Sequence, residues 1–168
     1  FEPVYILLFF PFTLFLFYTN KKFNIDFKYI LIFLSLFFYS WWNFYYTPLI
    51  IFSILSNYFF SKQILNNNIN INRKYILFCS IGFNVLLLII FKYIDFFILN
   101  INFFFNTNIK LTNFPFPLAI SFLTFQTITF LINCYDKEIK NFNLKNFFLF
   151  IIFFPQLIAG PIIKFNEI

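Results

Sequence analysis

The run YILFCSIGFNVLLLIIFKYIDFFIL, Tyr75–Leu99, decides the fold. A helix rises about 1.5 Å per residue, so roughly 20 apolar residues cross a hydrocarbon core about 30 Å thick, and this run is longer than that. Five further apolar runs lie around it, at Val4–Tyr18, Tyr29–Trp42, Phe44–Phe60, Phe116–Tyr135 and Phe147–Ile163, separated by clusters of Lys, Arg, Asp, Glu and Asn. The first two are short for a full crossing and need tilt, flanking residues or a thin bilayer. The pattern predicts an all-α, multi-pass transmembrane helical protein of about five to six membrane segments.

Composition points the same way. A chain of 168 residues that is 61% hydrophobic and 28% aromatic has too little polar surface to cover a soluble globule. Its 35 phenylalanines exceed what a core of this size holds, so the excess faces lipid. The net charge of +6 is scattered between apolar runs and forms no basic stripe, which argues against nucleic acid as a partner and for membrane lipid. The chain begins on Phe1 and has no methionine, so the natural start is expected to lie before these residues, and whether the natural end does too stays open at this point. The first run follows Glu2 rather than a basic segment, which reads as a membrane segment and not a secretory signal.

The basic residues give an orientation. With the N-terminus outside, the inner loops carry Lys21, Lys22 and Lys28, then Lys62, Arg73 and Lys74, then Lys137, Lys140 and Lys145. Lys110 is left outside, Lys92 lies within a segment and Lys164 near the end. The excess of Lys and Arg on cytoplasmic loops sets this topology in a cell membrane. Trp41 and Trp42 fall at the outer end of the second segment, where indole rings suit the headgroup region, although packing inside a bundle is open to them as well. The connection Asn100–Asn113 has room for a short interfacial helix, and Asn66–Asn72 is low-complexity and polar.

Chemistry-bearing residues are few. There is no histidine, so neither a His-based general base nor a His-ligated metal is available here. Cys79 and Cys134 make no metal or redox spacing. No catalytic residue, metal ligand or bound cofactor is assigned. Lys92 and Asp95 stand three apart in an apolar run, which admits two readings: a lysine reaching for the headgroups with Asp95 as local partner, or a charge lining a polar cavity. Asn57, Asn84, Gln126 and Asn133 are amides in apolar runs and read mainly as interhelical hydrogen-bonding groups. Ser121, Thr124, Gln126, Thr127 and Thr129 make their segment the most polar, as a lumen-facing helix or one whose hydroxyls bond their own backbone.

The segment FFPQLIAGPI, Phe153–Ile162, carries Pro155, Gly160 and Pro161 within an apolar run. Pro155 removes a backbone donor, and the Gly-Pro pair repeats the disruption farther on. Interrupted backbone at membrane depth must be buried in protein or face water. The last segment is therefore expected to be broken or re-entrant, its freed carbonyls and Gln156 bordering a cavity, with a kinked ordinary helix as the alternative.

Four stretches, FYSWWNFYY (Phe38–Tyr46), FKYIDFF (Phe91–Phe97), PLAISFLTFQTITFLINCY (Pro117–Tyr135) and FFPQLIAGPIIKFNEI (Phe153–Ile168), resemble in order and spacing the membrane-bound O-acyltransferase family. The resemblance is to its bacterial branch, which includes alginate O-acetyltransferase-like and D-alanine-transfer-protein-like members. It implies an enzyme that passes an acyl group, acetyl first among the options, from a cytoplasmic thioester such as acetyl-CoA or an acyl-carrier protein to a surface polysaccharide such as alginate or peptidoglycan. It also implies a periplasmic or extracellular partner protein. D-alanyl transfer to teichoic acid is the nearest alternative, and a transporter or channel subunit is the alternative from another class. The family's histidine belongs to a WRRWH-like motif that these residues do not contain. By resemblance, 1–168 is thus an N-terminal transmembrane portion, inactive alone. Where some relatives read PHLIAGP, this chain has Gln156. Gln156, Gly160 and Gln126 are the candidate lining of an acyl-transfer tunnel.

Overall fold

The computed structural model describes residues 9–20, 26–66, 72–160 and 165. Lys21, Lys22, most of the Asn66–Asn72 stretch, Pro161 and Lys164 lie outside them. The described residues are helical, with no strand among them: α1 (Phe10–Asn20), α2 (Phe27–Trp42), α3 (Thr47–Leu65), α4 (Arg73–Leu88), α5 (Ile94–Phe105), α6 (Ile120–Tyr135), α7 (Leu144–Ile152) and α8 (Phe154–Ala159). A 3-10 turn at Phe44–Tyr46 leads into α3, and a π-turn at Ile89–Tyr93 joins α4 to α5.

Local chemistry sets these boundaries. Asp26, Asn72 and Asn143 each accept from a backbone N–H of the first helical turn, at Lys28, Lys74 and Asn146 respectively, the usual role of an N-cap. Asn43 caps the 3-10 turn, and Pro48 sits in the first turn of α3, where an N–H is dispensable. Phe44–Leu65 and Arg73–Phe105 are long and apolar enough to cross a membrane, with 22 and 33 residues. The longer one extends to about 50 Å, well beyond the hydrocarbon core. It absorbs the start of the Asn100–Asn113 connection, as far as Phe105, and leaves a loop from Asn106 onward.

Helices α2, α3, α4, α6 and α7 form the bundle, with α3, α4 and α6 each packed on the other two and α7 against α2. Phe130, Phe142, Phe147 and Phe150 are joined by Phe165 in a core of rings, the closest centroids 4.6 Å apart between Phe130 and Phe147. Asn57 of α3 and Asn84 of α4 exchange amide hydrogen bonds of 3.1 and 2.6 Å, and each also donates to its own helix. That fulfils the interhelical reading of these two amides. Phe33, Phe52, Phe59, Phe78 and Phe103 meanwhile point outward, an apolar exterior that lipid would cover. Trp41 and Trp42 are exposed at the end of α2, so they do not pack inside the bundle.

Four basic residues, Lys28, Lys62, Arg73 and Lys145, gather at one end. Arg73 donates to the Ile64, Cys134 and Tyr135 carbonyls, holding a cation against the C-termini of α3 and α6. Lys62 donates to the Phe142 carbonyl and lies over its ring, Lys28 donates to Asn146, and Lys145 pairs with Asp26. The pairing holds the Asp26 carboxyl below its ordinary range and Lys145 above its own.

Candidate functional site

The last apolar run is broken, and the break lies at Phe153. There ψ turns to 109° and ends α7, while α8 restarts at Phe154 with Pro155 in its first turn. Pro155 therefore gives up an N–H that α8 does not need. Ending α7 frees its last carbonyls, and the interior supplies partners for the groups released. The Gln126 side chain of α6 donates 2.7 Å to the Phe150 carbonyl, and the Phe154 N–H donates 3.3 Å to Ser35 Oγ of α2. Gln126 and Ser35 are both fully buried. The Phe150 bond fixes which way the amide points, and Gln126 Oε1 has no hydrogen-bond partner among the described residues.

Beyond the break, Gly160 closes α8 by donating to the Gln156 carbonyl at 3.0 Å. A side chain here would collide with Gln156: a Cβ on Gly160 would stand 2.5 Å from Gln156 Cγ and 2.6 Å from Cα. Gln156 and Gly160 therefore form one tight surface.

That surface is one wall of a cleft of about 470 Å³. The first turn of α6 and the segment before it form a second wall, with Phe116, Pro117, Ala119, Ser121 and Phe122. Lys92, from the π-turn, completes it and donates 2.9 Å to Ser121 Oγ. Ala119 takes a left-handed conformation, φ 53° and ψ 23°, as the residue preceding α6. This strained position lets the chain turn from Pro117 into the helix along the cleft.

Lys92 and Asp95 do not pair. A π-turn closes over five residues rather than four, so positions three apart lose their common face. Asp95 accepts instead from the Thr112 N–H and hydroxyl and from the Asn113 N–H, pinning the loop after α5. Tyr46 holds the same loop by donating to the Pro115 carbonyl. The structure thus removes Asp95 as the local partner of Lys92 and places Lys92 on the wall of the cleft.

The structure brings Gln156 and Gly160 together with Lys92 and Ser121, and it places Gln126 away from this cleft. Gln126 supports the broken backbone behind the wall instead. Thr124 and Thr129 bond their own helix at the Ile120 and Phe125 carbonyls. A smaller void of about 40 Å³, bordered by Asn84, Thr124 and Thr127, shares Pro117 and Ile120 with the cleft. Ser35 and Ala119 escaped the sequence reading: one hydroxyl in an apolar helix is unremarkable, and alanine gives no sign of a left-handed turn. Among the described residues no three His, Cys, Asp or Glu side chains converge. What the cleft offers is a cation, a hydroxyl, an amide and ring faces, groups that bind and orient.

No protein-family model matches the chain, and no solved structure matches it. Curated proteins do. A peptidoglycan O-acetyltransferase of Helicobacter pylori is 36% identical over 162 residues, covering 82% of this chain and 31% of that protein. A probable alginate O-acetylase AlgI of Pseudomonas putida is 27% identical over 173 residues, covering 98% of this chain and 35% of its own. The Pseudomonas aeruginosa counterpart is 39% identical over 59 residues, 34% of this chain and 11% of that protein. The chain spans about a third of the length of the curated relatives that it matches along most of its own sequence.

Proposed function

Over the stretch it shares with these relatives the chain belongs to the membrane-bound O-acyltransferase-like proteins, and on that premise we propose that it is part of a multi-pass membrane enzyme that O-acetylates a cell-surface polysaccharide. The observation that carries the reading is the similarity to a peptidoglycan O-acetyltransferase along most of the chain. The fold adds support, because the interrupted segment that the family resemblance marks out borders a cleft that holds Lys92, Ser121 and Gln156.

The physical logic follows from compartments. Activated acyl groups are made inside and surface glycans lie outside, so a protein with a polar passage lets transfer occur without moving the whole donor. In this reading the basic end faces the cytoplasm and a thioester donor such as acetyl-CoA or an acyl-carrier protein, with the N-terminus outside. The cleft of Lys92, Gln156 and Gly160, at the other end of α4 and α6, receives the acceptor. An outer partner protein delivers it or carries the acetyl group onward. The proton transfers belong to a histidine outside these 168 residues, which contain none.

In the full-length protein, Gln156→Leu and Gly160→Leu should each lower acyl transfer while expression stays unchanged, the second by forcing Gln156 aside. Normal transfer by both variants would remove the cleft from the acyl path.

A further inference from the structure

We propose that the small void behind the cleft wall is a site for ordered water, a cluster of about two or three molecules that bridges Tyr39 of α2 to Thr127 of α6. At about 40 Å³ the void is far below the roughly 300 Å³ at which small-molecule sites begin, while one water needs only about 10–15 Å³. What fills it is decided by its lining. Ile120, Thr124 and Thr127 recur at helical spacing, so α6 turns one face to the void and sets two hydroxyls on it. Tyr39 borders the void from α2, and Ser53 and Asn84 bring α3 and α4 to it.

Tyr39 and Thr127 are 2% and 4% exposed, and neither hydroxyl forms a hydrogen bond among the described residues. Thr124 differs, since its hydroxyl donates 2.8 Å to the Ile120 carbonyl and keeps only the capacity to accept. Ser53 Oγ accepts from Asn57 Nδ2 at 3.4 Å and has its own proton to give. Asn84 Oδ1 takes one amide N–H at 3.1 Å and has a second lone pair. Donors and acceptors thus converge on one small space, and a buried water makes about three bonds to groups of this kind. A lipid tail in the same space would leave the two hydroxyls against methylene groups, a cost that nothing in the hydrocarbon core offsets. The site also explains how α2 reaches the cleft wall. α2 packs chiefly on α7, and α6 on α3 and α4, whereas bridging water ties Tyr39 to the face of α6 behind Pro117 and Ile120, which line the cleft as well.

The test is radiolytic hydroxyl-radical labelling of the full-length protein in lipid nanodiscs, with oxidation at each residue read by peptide mass spectrometry. Ordered water generates radicals in place, so a side chain beside it is oxidised even where radicals from bulk solvent do not reach. Corrected for intrinsic ring reactivity, Tyr39 should be oxidised severalfold faster than Phe130, an equally buried ring that lines neither the void nor the cleft. Thr127→Val keeps the shape and removes the hydroxyl, so it should bring Tyr39 down toward the Phe130 rate, and Thr127→Ser should preserve the wild-type rate. Tyr39 oxidised no faster than Phe130 in the wild type would overturn the site, leaving the void dry or filled by lipid. An unchanged Tyr39 rate in Thr127→Val would overturn the bridge. Misfolding of that variant would raise Phe130 oxidation as well, and the wild-type comparison would then decide alone. Acyl transfer does not enter the readout, so the water site stands or falls apart from the acetyltransferase reading.

Discussion

Ala119 holds a left-handed backbone that costs an alanine roughly 1–2 kcal/mol, and it does so on the cleft wall one residue before α6. Glycine removes the steric cost and adds back part of it as unfolded-chain entropy. Ala119→Gly should therefore hold or raise the thermal midpoint of the full-length protein, whereas Ala119→Val, branched at Cβ, should lower it by an amount on the order of 1–2 kcal/mol. Equal losses in both variants, read by thermal unfolding in detergent, would show that the methyl group matters for packing and not for strain. Gly160 makes the converse argument, since its lack of a side chain is what lets Gln156 lie against it. Lys92 shows how far single residues can be read from sequence. Its presence in an apolar run marks it as unusual, but only the π-turn decides that it faces Ser121 rather than Asp95.

At the scale of elements, the interrupted last segment depends on side chains far from it in sequence. Pro155 and Gly160 announce an interruption, and the structure has one, but the stop at Phe153 follows from where α7 runs out of helix. What stabilises it comes from Gln126 of α6 and Ser35 of α2. Gln126→Leu leaves the Phe150 carbonyl buried without that donor and should cost about 1–3 kcal/mol. Thr129→Val is the comparison, because the Thr129 hydroxyl bonds only its own helix at the exposed edge and should cost well under 1 kcal/mol. Denaturant titration of both variants would decide, and equal small effects would mean that Gln126 does not hold the break. The amide pair of Asn57 and Asn84 was legible in advance as two polar groups in apolar runs. The partner of Gln126 was not, since a backbone carbonyl freed by a break leaves no mark in the sequence.

Across the whole molecule, the all-helical character and the apolar exterior are legible in the composition, because 61% hydrophobic residues cannot all be enclosed by so short a chain. The gathering of Lys28, Lys62, Arg73 and Lys145 at one end of the helices was equally legible from loop charges, since antiparallel neighbours bring alternate loops together. Less legible was the single 33-residue helical stretch from Arg73 to Phe105, where polar Asn100 and Asn102 suggest a loop. Asn100 instead donates to the Phe96 carbonyl and Asn102 to the Ile109 carbonyl, which keeps both amides satisfied. The central claim is the activity, and it belongs to the complete protein in its cell. The direct measurement is the ester-linked acetate released by mild base from purified surface polysaccharide, compared between parent, deletion and complemented strains. The acetyltransferase reading predicts loss on deletion and return with the full-length gene. Acetate content that is the same in parent and deletion strains would contradict it.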